Sequence, residues 1–354
     1  MKILLYGDAH FSLNSSILVG TSNSLDGRLR HLIDSFKWMY GVAKDLKVDK
    51  IIDLGDLVDD FRLSAEEITA VTDALTMNNF VDEIHILGNH ERLAEDGTIN
   101  SVNFVDAIPH HSLIREPLFD EENSMTFLPY AYYEDGDLDS FPKTKYAFTH
   151  LDIFGSDMGT GLSLKLGMSP AYLSGRYDYV LNGHVHVHSY VMDYPDKKIV
   201  NLGSISGQNF SSKGTPHIAV LDTETGALEF IENPKALYFT KGNCETVSDV
   251  LHLVNSLDPE RDYAIQVNVP MGIADDVREI LSGKDYILSS RIRVKADVSQ
   301  LEAVEQEEIE KVSSTSGGFQ KLRDFIEEAE SLPYDKDDIL KVVAELEGNK
   351  FAPV

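Results

Sequence analysis

Three apolar runs in the N-terminal quarter of the chain end the same way. Lys2 to Tyr6 runs into Gly7-Asp8, Lys50 to Leu54 into Gly55-Asp56, and Glu83 to Leu87 into Gly88-Asn89. Helical patterns lie between them. Asp26 can cap a helix with apolar residues at Leu29, Leu32, Ile33, Phe36, Met39, Ala43 and Leu46, a 3.6-residue period. Ser64 with Glu67 forms a capping box that opens a second helix, reaching about Asn78. Strand, helix, strand, helix, strand predicts parallel βαβ units. Open α/β sheets place their sites at the carboxyl ends of the strands, and glycine lets the chain turn sharply there. Asp8, His10, Asp56, Asn89 and His90 should therefore meet at one edge.

Beyond residue 110 the pattern turns β-rich. Thr149-His150 ends one predicted strand, and Gly183-His184-Val185-His186 follows another. The stretch Tyr179 to Val191, YVLNGHVHVHSYV, itself reads as a strand with His184, His186 and His188 on one face. Near Leu237 the character shifts. Tyr263 to Val269, Ile273 to Leu281 and Tyr286 to Val294 predict a small α+β module. The flexible linker SSTSGG at 313–318 then leads to two amphipathic helices, at about 320–332 and 337–347. The expected domains are residues 1–235, 236–312 and 313–354.

Among 354 residues there is one cysteine, Cys244, which excludes an internal disulfide framework and a cysteine-based zinc site. The apolar start is too short for a signal peptide, and no run of about 18 apolar residues appears. The expectation is a soluble, cytoplasmic protein with no membrane role. The net charge of −28 disfavours loose binding to polyanions, so a phosphate-bearing substrate needs fixed local cations.

The strand-end residues make a nitrogen and oxygen ligand set without sulfur, suited to two divalent ions. Asp56 can bridge them with its two oxygens. Two aspartates against two dications leave about two positive charges, which favour a phosphate ligand and acidify a bound water. The set GDAH (7–10), GDLVD (55–59), GNHE (88–91), TH (149–150) and GHVH (183–186) resembles the calcineurin-like metallophosphoesterases over roughly residues 1–230. The resemblance implies a four-layer α/β sandwich: two mixed sheets flanked by helices, with a small α+β capping domain and C-terminal helices. It implies one metal held by Asp8, His10, Asp56 and His186, and another by Asp56, Asn89, His150 and His184. The ions are expected to be manganese, with magnesium, iron or zinc as alternatives. His90 matches the family's catalytic histidine, which assists the leaving oxygen without binding metal. His188 matches nothing and reads as a solvated strand residue. Histidines 31, 85, 110, 111, 217 and 252 read as surface or loop residues.

The stretch from His150 to His186 resembles the SbcD-type nuclease subunits and the phage recombination endonucleases. That likeness implies attack of a metal-bridging hydroxide on a DNA phosphate. It also implies a homodimer, and C-terminal helices that dock on an SMC-like ATPase. Arg291, Arg293 and Lys295 alternate along the last predicted strand and are candidate phosphate contacts. Asp59 and Asp60 stand where many nuclease members carry a histidine, and Glu91 stands where Asp is commoner. Two rival readings are a free-standing enzyme for a small phosphoester and a non-catalytic scaffold for an ATPase.

Overall fold

The computed structural model describes residues 1–13, 27–93, 98–159, 162–208, 210 and 214–295. The expected linker at 313–318 and the helices at 320–332 and 337–347 lie outside the described residues, as does the cap Asp26. The chain begins β1 (Lys2–Tyr6), α1 (Gly27–Leu46), β2 (Lys50–Asp53), α2 (Ala65–Leu75), β3 (Glu83–Ile86) and β4 (His111–Ile114). It continues β5 (Leu118–Asp120), β6 (Met125–Leu128), β7 (Tyr146–Thr149), α3 (Pro170–Ser174), β8 (Tyr179–Asn182), β9 (Ser189–Asp193) and β10 (Lys198–Asn201). The remaining elements are β11 (His217–Asp222), β12 (Ala227–Glu232), β13 (Leu237–Asn243), α4 (Val247–Asn255), β14 (Asp262–Pro270), α5 (Ala274–Ser282) and β15 (Ile287–Lys295).

Two six-stranded mixed sheets result, ordered β12-β11-β1-β2-β3-β4 and β5-β6-β7-β8-β10-β9. Alternation along each strand feeds two cores at once. Leu4, Tyr6 and Ile51 pack under α1 and α2 with Leu32, Phe36 and Val71. Ile3, Leu5, Ile52 and Ile86 point the other way and meet Phe127, Phe148, Leu181 and Val200 of the second sheet. The far face of that sheet packs Ala147, Val180 and Ile199 on Leu173 of α3 and on Tyr177. This is the expected four-layer sandwich. Among the described residues no helix is long and apolar enough to cross a membrane.

A third sheet, β13-β14-β15, has its own core with α4 and α5, built on Val250, Val254, Ile265, Val267, Val277 and Leu281. The small α+β module expected from local sequence pattern covers β14, α5 and β15 but not β13 and α4. The signal for α4 was present: Thr246 and Asp249 form a capping box before Val250 and Val254. Tyr238 ties this sheet to the chain before it by donating to the Asn233 carbonyl at 2.7 Å.

Two expectations are corrected. Tyr179 to Val191 is not one strand: β8 stops at Asn182, β9 starts at Ser189, and His184 has a φ of +70°. The histidine pattern of period two lies on a turn, so the imidazoles do not share a strand face. His85, His111 and His217 are buried rather than on the surface.

His85 and His111 belong to a hydrogen-bonded chain beneath the sheet. His111 Nε2 faces the Leu75 carbonyl at 3.1 Å and must donate. Its Nδ1 then accepts from His85 Nε2 at 2.9 Å, and His85 Nδ1 accepts from Asp53 Oδ2 at 3.0 Å. That direction requires a protonated Asp53, and burial does hold its carboxyl well above the ordinary range. Burial likewise keeps both imidazoles neutral. The other Asp53 oxygen accepts from Gly55 N at 3.1 Å, joining this chain to the second strand-end loop. Because the folded pKa of Asp53 is raised, its contribution to stability is present at low pH. It is lost as pH rises through the folded value. An amide can donate and accept as the neutral acid does. Asp53→Asn should therefore stay within about 1 kcal/mol of wild type near neutral pH and flatten this pH dependence, whereas His85→Leu should cost about 2 kcal/mol or more. Urea unfolding between pH 5 and 8 measures both.

Candidate metal centre

Five strand ends converge on one edge. Asp8, Asp56 and Asn89 follow β1, β2 and β3 of the first sheet, while His150, His184 and His186 follow β7 and β8 of the second. The loops approach so closely that no side chain fits between them. A Cβ on Gly88 would lie 2.1 Å from Asp56 Oδ1, and one on Gly183 would lie 2.5 Å from the Leu54 carbonyl oxygen. Seven non-glycine residues among those described have a left-handed backbone, and Asp8, His10, Asp56 and His184 are four of them. Such conformations cost about 1 kcal/mol or more each and persist only where surroundings enforce them. Here Asp8 N donates to Gly55 O at 2.9 Å, His10 N to Asp56 O at 3.0 Å, and Gly183 N to Thr149 O at 2.9 Å.

Asp8 is fully buried, yet among the described residues neither carboxylate oxygen has a hydrogen-bond partner. Burying such a charge without a counter-charge is expensive, and burial pushes its pKa up to about 7. His186 Nε2 lies 3.7 Å and His10 Nε2 4.0 Å from Asp8 Oδ1. Those two nitrogens face each other at 3.0 Å. Burial holds His186 neutral, with a pKa near 3, as a ligand requires.

Beside this group is a second one. Asp56 Oδ2 lies 3.3 Å from His150 Nε2 and 3.7 Å from His10 Nε2, so it stands between the two. Asn89 Oδ1 lies 3.0 Å from His150 Nε2 and 2.9 Å from His184 Nδ1. The outer nitrogens are committed elsewhere: His150 Nδ1 donates to the Leu54 carbonyl at 2.7 Å, and His184 Nε2 to Asp152 at 3.0 Å. In each neutral imidazole the inner nitrogen is then a lone pair aimed at an oxygen. Burial lowers the His150 pKa, but the Asp56 carboxylate outweighs it and the net shift is up to about 10. A cation between these atoms satisfies the same lone pairs, so the donor set fits divalent metal ions.

All seven expected ligands are thus brought together. His90 sits at the rim, with Nδ1 2.9 Å from the Asp59 carbonyl and Nε2 4.0 Å from Asp56 Oδ2. Asp59 Oδ1 lies 3.0 Å from His10 Nδ1 and 3.3 Å from His90 Nδ1. The residue that departs from the nuclease pattern is therefore a shared partner of two site histidines. Asp59 is the main reason the His90 pKa rises to about 9. Glu91 clamps the loops: Oε1 accepts from Leu57 N and Oε2 from Gly88 N, both at 2.7 Å. The sequence reading missed Asp152, although it lies two residues after His150 on the same strand end. It also missed Tyr130, whose ring lies 5.7 Å from that of His184. His188 is not a solvated strand residue: it lies in the turn, packed on Phe230 at 4.2 Å and on His217 at 5.3 Å. Arg291 and Arg293 are exposed on β15, with Arg291 over the Phe210 ring. The Lys295 side chain lies outside the described residues.

The family model for the calcineurin-like phosphoesterase superfamily domain matches residues 1–226. The chain belongs to this superfamily. Its site is accordingly that of a metal-dependent phosphoesterase. Similar solved structures include a dimetal phosphatase from Danio rerio, 12% identical, covering 62% of this chain and 92% of that one with a TM-score of 0.38. The protein TT1561 of Thermus thermophilus is 13% identical, covering 65% and 98%, with a TM-score of 0.40. The nuclease MPE of Pseudomonas putida is 15% identical, covering 65% and 87%, with a TM-score of 0.32. No curated protein matches the sequence. Membership in the superfamily rests on the family model, not on these structures.

The unpartnered Asp8 carboxylate makes an unusual stability prediction. In EDTA, Asp8→Asn should melt at or above the wild-type temperature, because it removes a buried charge. With manganese added, wild type should gain several degrees and the variant little or nothing. Differential scanning fluorimetry reads both. Asp59→Asn should bring the His90 titration, followed by NMR in metal-free protein, back toward the ordinary histidine range.

Proposed function

We propose that the chain is a two-metal DNA phosphodiesterase, the nuclease subunit of an SbcD-like recombination or repair complex. The observation that carries the reading is the pair of adjoining ligand groups. Asp8, His10 and His186 form one, His150, His184 and Asn89 the other, and Asp56 stands between them. Two divalent ions, manganese first, would neutralise the phosphoryl oxygens there and make water nucleophilic at neutral pH. The chain's own groups do the rest. Asp152 and the Leu54 carbonyl fix which nitrogens of His184 and His150 face inward. Glu91 holds the second and third loops at contact distance. His90, oriented by the Asp59 carbonyl, presents Nε2 toward the site and protonates the departing sugar oxygen. Support for DNA comes from the likeness of the 150–186 stretch to the nuclease subunits and from the basic face of β15. The ATPase partner, the 313–354 docking helices and a homodimer belong to the same proposal. The 236–312 module serves in it as the capping, DNA-contact domain.

The net charge of −28 favours a second reading, a free-standing enzyme for a small phosphoester. One assay separates the two: purified protein with manganese on linear double-stranded DNA and, in parallel, on bis(p-nitrophenyl) phosphate. The nuclease reading expects cleavage of both. Cleavage of the aryl ester with DNA left intact supports the small substrate. His90→Gln should retain its metal by elemental analysis and lose about 10²–10⁴-fold in turnover. Arg291→Gln with Arg293→Gln should weaken DNA binding and reduce the logarithmic salt slope by about 2.

A further inference from the structure

Beside the metal centre lies a cavity of about 760 Å³ that the phosphoester chemistry does not use. It shares two residues with the centre. Asp152 lines it while accepting from His184, and Tyr130 lines it with its ring against His184 and its hydroxyl 3.5 Å from Asp152. The volume is that of a small-molecule site. Its far wall is preformed by backbone. Phe154 N donates to Met168 O and Met168 N to Asp152 O, both at 3.0 Å. A Cβ on Gly167 would lie 2.2 Å from the Asp152 carbonyl oxygen, so only glycine closes this wall.

Exposed apolar groups make up much of the lining, which is open to solvent. Tyr132 is 82% exposed, Leu166 81% and Phe154 50%. Large exposed apolar groups gathered at one cavity mark a binding surface. The polar groups decide what kind. Three carboxylates, Glu134, Asp135 and Asp152, line the cavity and repel a phosphate from its interior. Asp135 is taken by Ser169 and Asp152 by His184, whereas the exposed Glu134 carboxylate has no hydrogen-bond partner among the described residues and can accept. The one cation in the lining, Lys165, is exposed and makes no ion pair among the described residues. A flat neutral ring with N–H groups on its edge suits this lining, with its own phosphate outside near Lys165 and the metal centre.

The geometry points to a nucleobase subsite: the cavity takes an unpaired base of the strand whose phosphodiester lies at the metal centre. The base stacks on Tyr132 and Phe154 with its edge toward Glu134. This rests on the phosphodiesterase reading above and narrows its substrate. Base faces are hidden within an intact duplex, so the ligand is a frayed end or a single strand.

The test uses the full chain and Tyr132→Ala with Leu166→Ser, both highly exposed positions. A 2-aminopurine trinucleotide is titrated in EDTA, and its fluorescence is followed. Binding with quenching, weakened about tenfold in the double variant, is expected, since stacking contributes about 1–3 kcal/mol per base. With manganese, kcat/KM for thymidine 5′-(p-nitrophenyl phosphate) relative to methyl p-nitrophenyl phosphate should fall about tenfold in the variant. Equal oligonucleotide binding by both proteins, or an unchanged ester ratio, overturns the subsite. A cavity that takes an apolar dye but no 2-aminopurine also overturns it, in favour of an apolar protein segment. If neither ester is hydrolysed while 2-aminopurine binding still depends on Tyr132 and Leu166, the subsite stands and the phosphodiesterase reading fails.

Discussion

The Asp56 carboxylate is the contact on which the rest depends. It is buried, accepts from His90 N at 3.1 Å through Oδ1, and offers Oδ2 to imidazoles from both sheets. A buried anion needs a counter-charge, and the surrounding histidines alone can supply one only by becoming cations. Asp8 repeats the demand at 0% exposure, with no hydrogen-bond partner among the described residues. Both demands are met at once by divalent ions, which explains why two unfavourable burials sit side by side at the seam of the sandwich.

Bringing those groups together costs backbone freedom. Gly88 and Gly183 remove the side chains that would separate the loops, and left-handed residues turn Asp8, His10, Asp56 and His184 inward. The strain is held by the sheets behind it, where alternate strand residues fill two apolar cores. The Asp53–His85–His111 chain reaches the same loop from below through Gly55. Two apolar cores and a buried hydrogen-bonded chain thus stand directly beneath the strand ends.

Much of the site was legible because its ligands are tied to a local signal. Five of the seven directly follow a glycine or threonine after an apolar run, and His10 and His186 lie two residues further on, so strand ends could be recognised and their residues grouped. What local pattern could not show is which residues oppose each other across the seam. Asp152, Asp59 and Glu91 act on histidines and amides contributed by other segments. His85 and His111 read as surface or loop residues because their partners, Asp53 and the Leu75 carbonyl, come from β2 and the end of α2. The alternation in HVHVH mimicked a strand because a tight turn can space polar residues by two as a strand does.

The sequence by itself determined the α/β pattern, the strand-end residues that gather at one edge and the exclusion of an internal disulfide framework, while the resemblance to the family supplied the four-layer sandwich and the expected metal assignments. The pattern and the strand ends follow from hydrophobic periodicity and from residue types at nearby positions, which are local properties. Only the tertiary structure decided which imidazole nitrogens face inward, that Asp59 serves both His10 and His90, and that an aromatic cavity opens beside His184. Each of those depends on distances between residues far apart in the chain, and only the packing of one sheet on the other sets such distances.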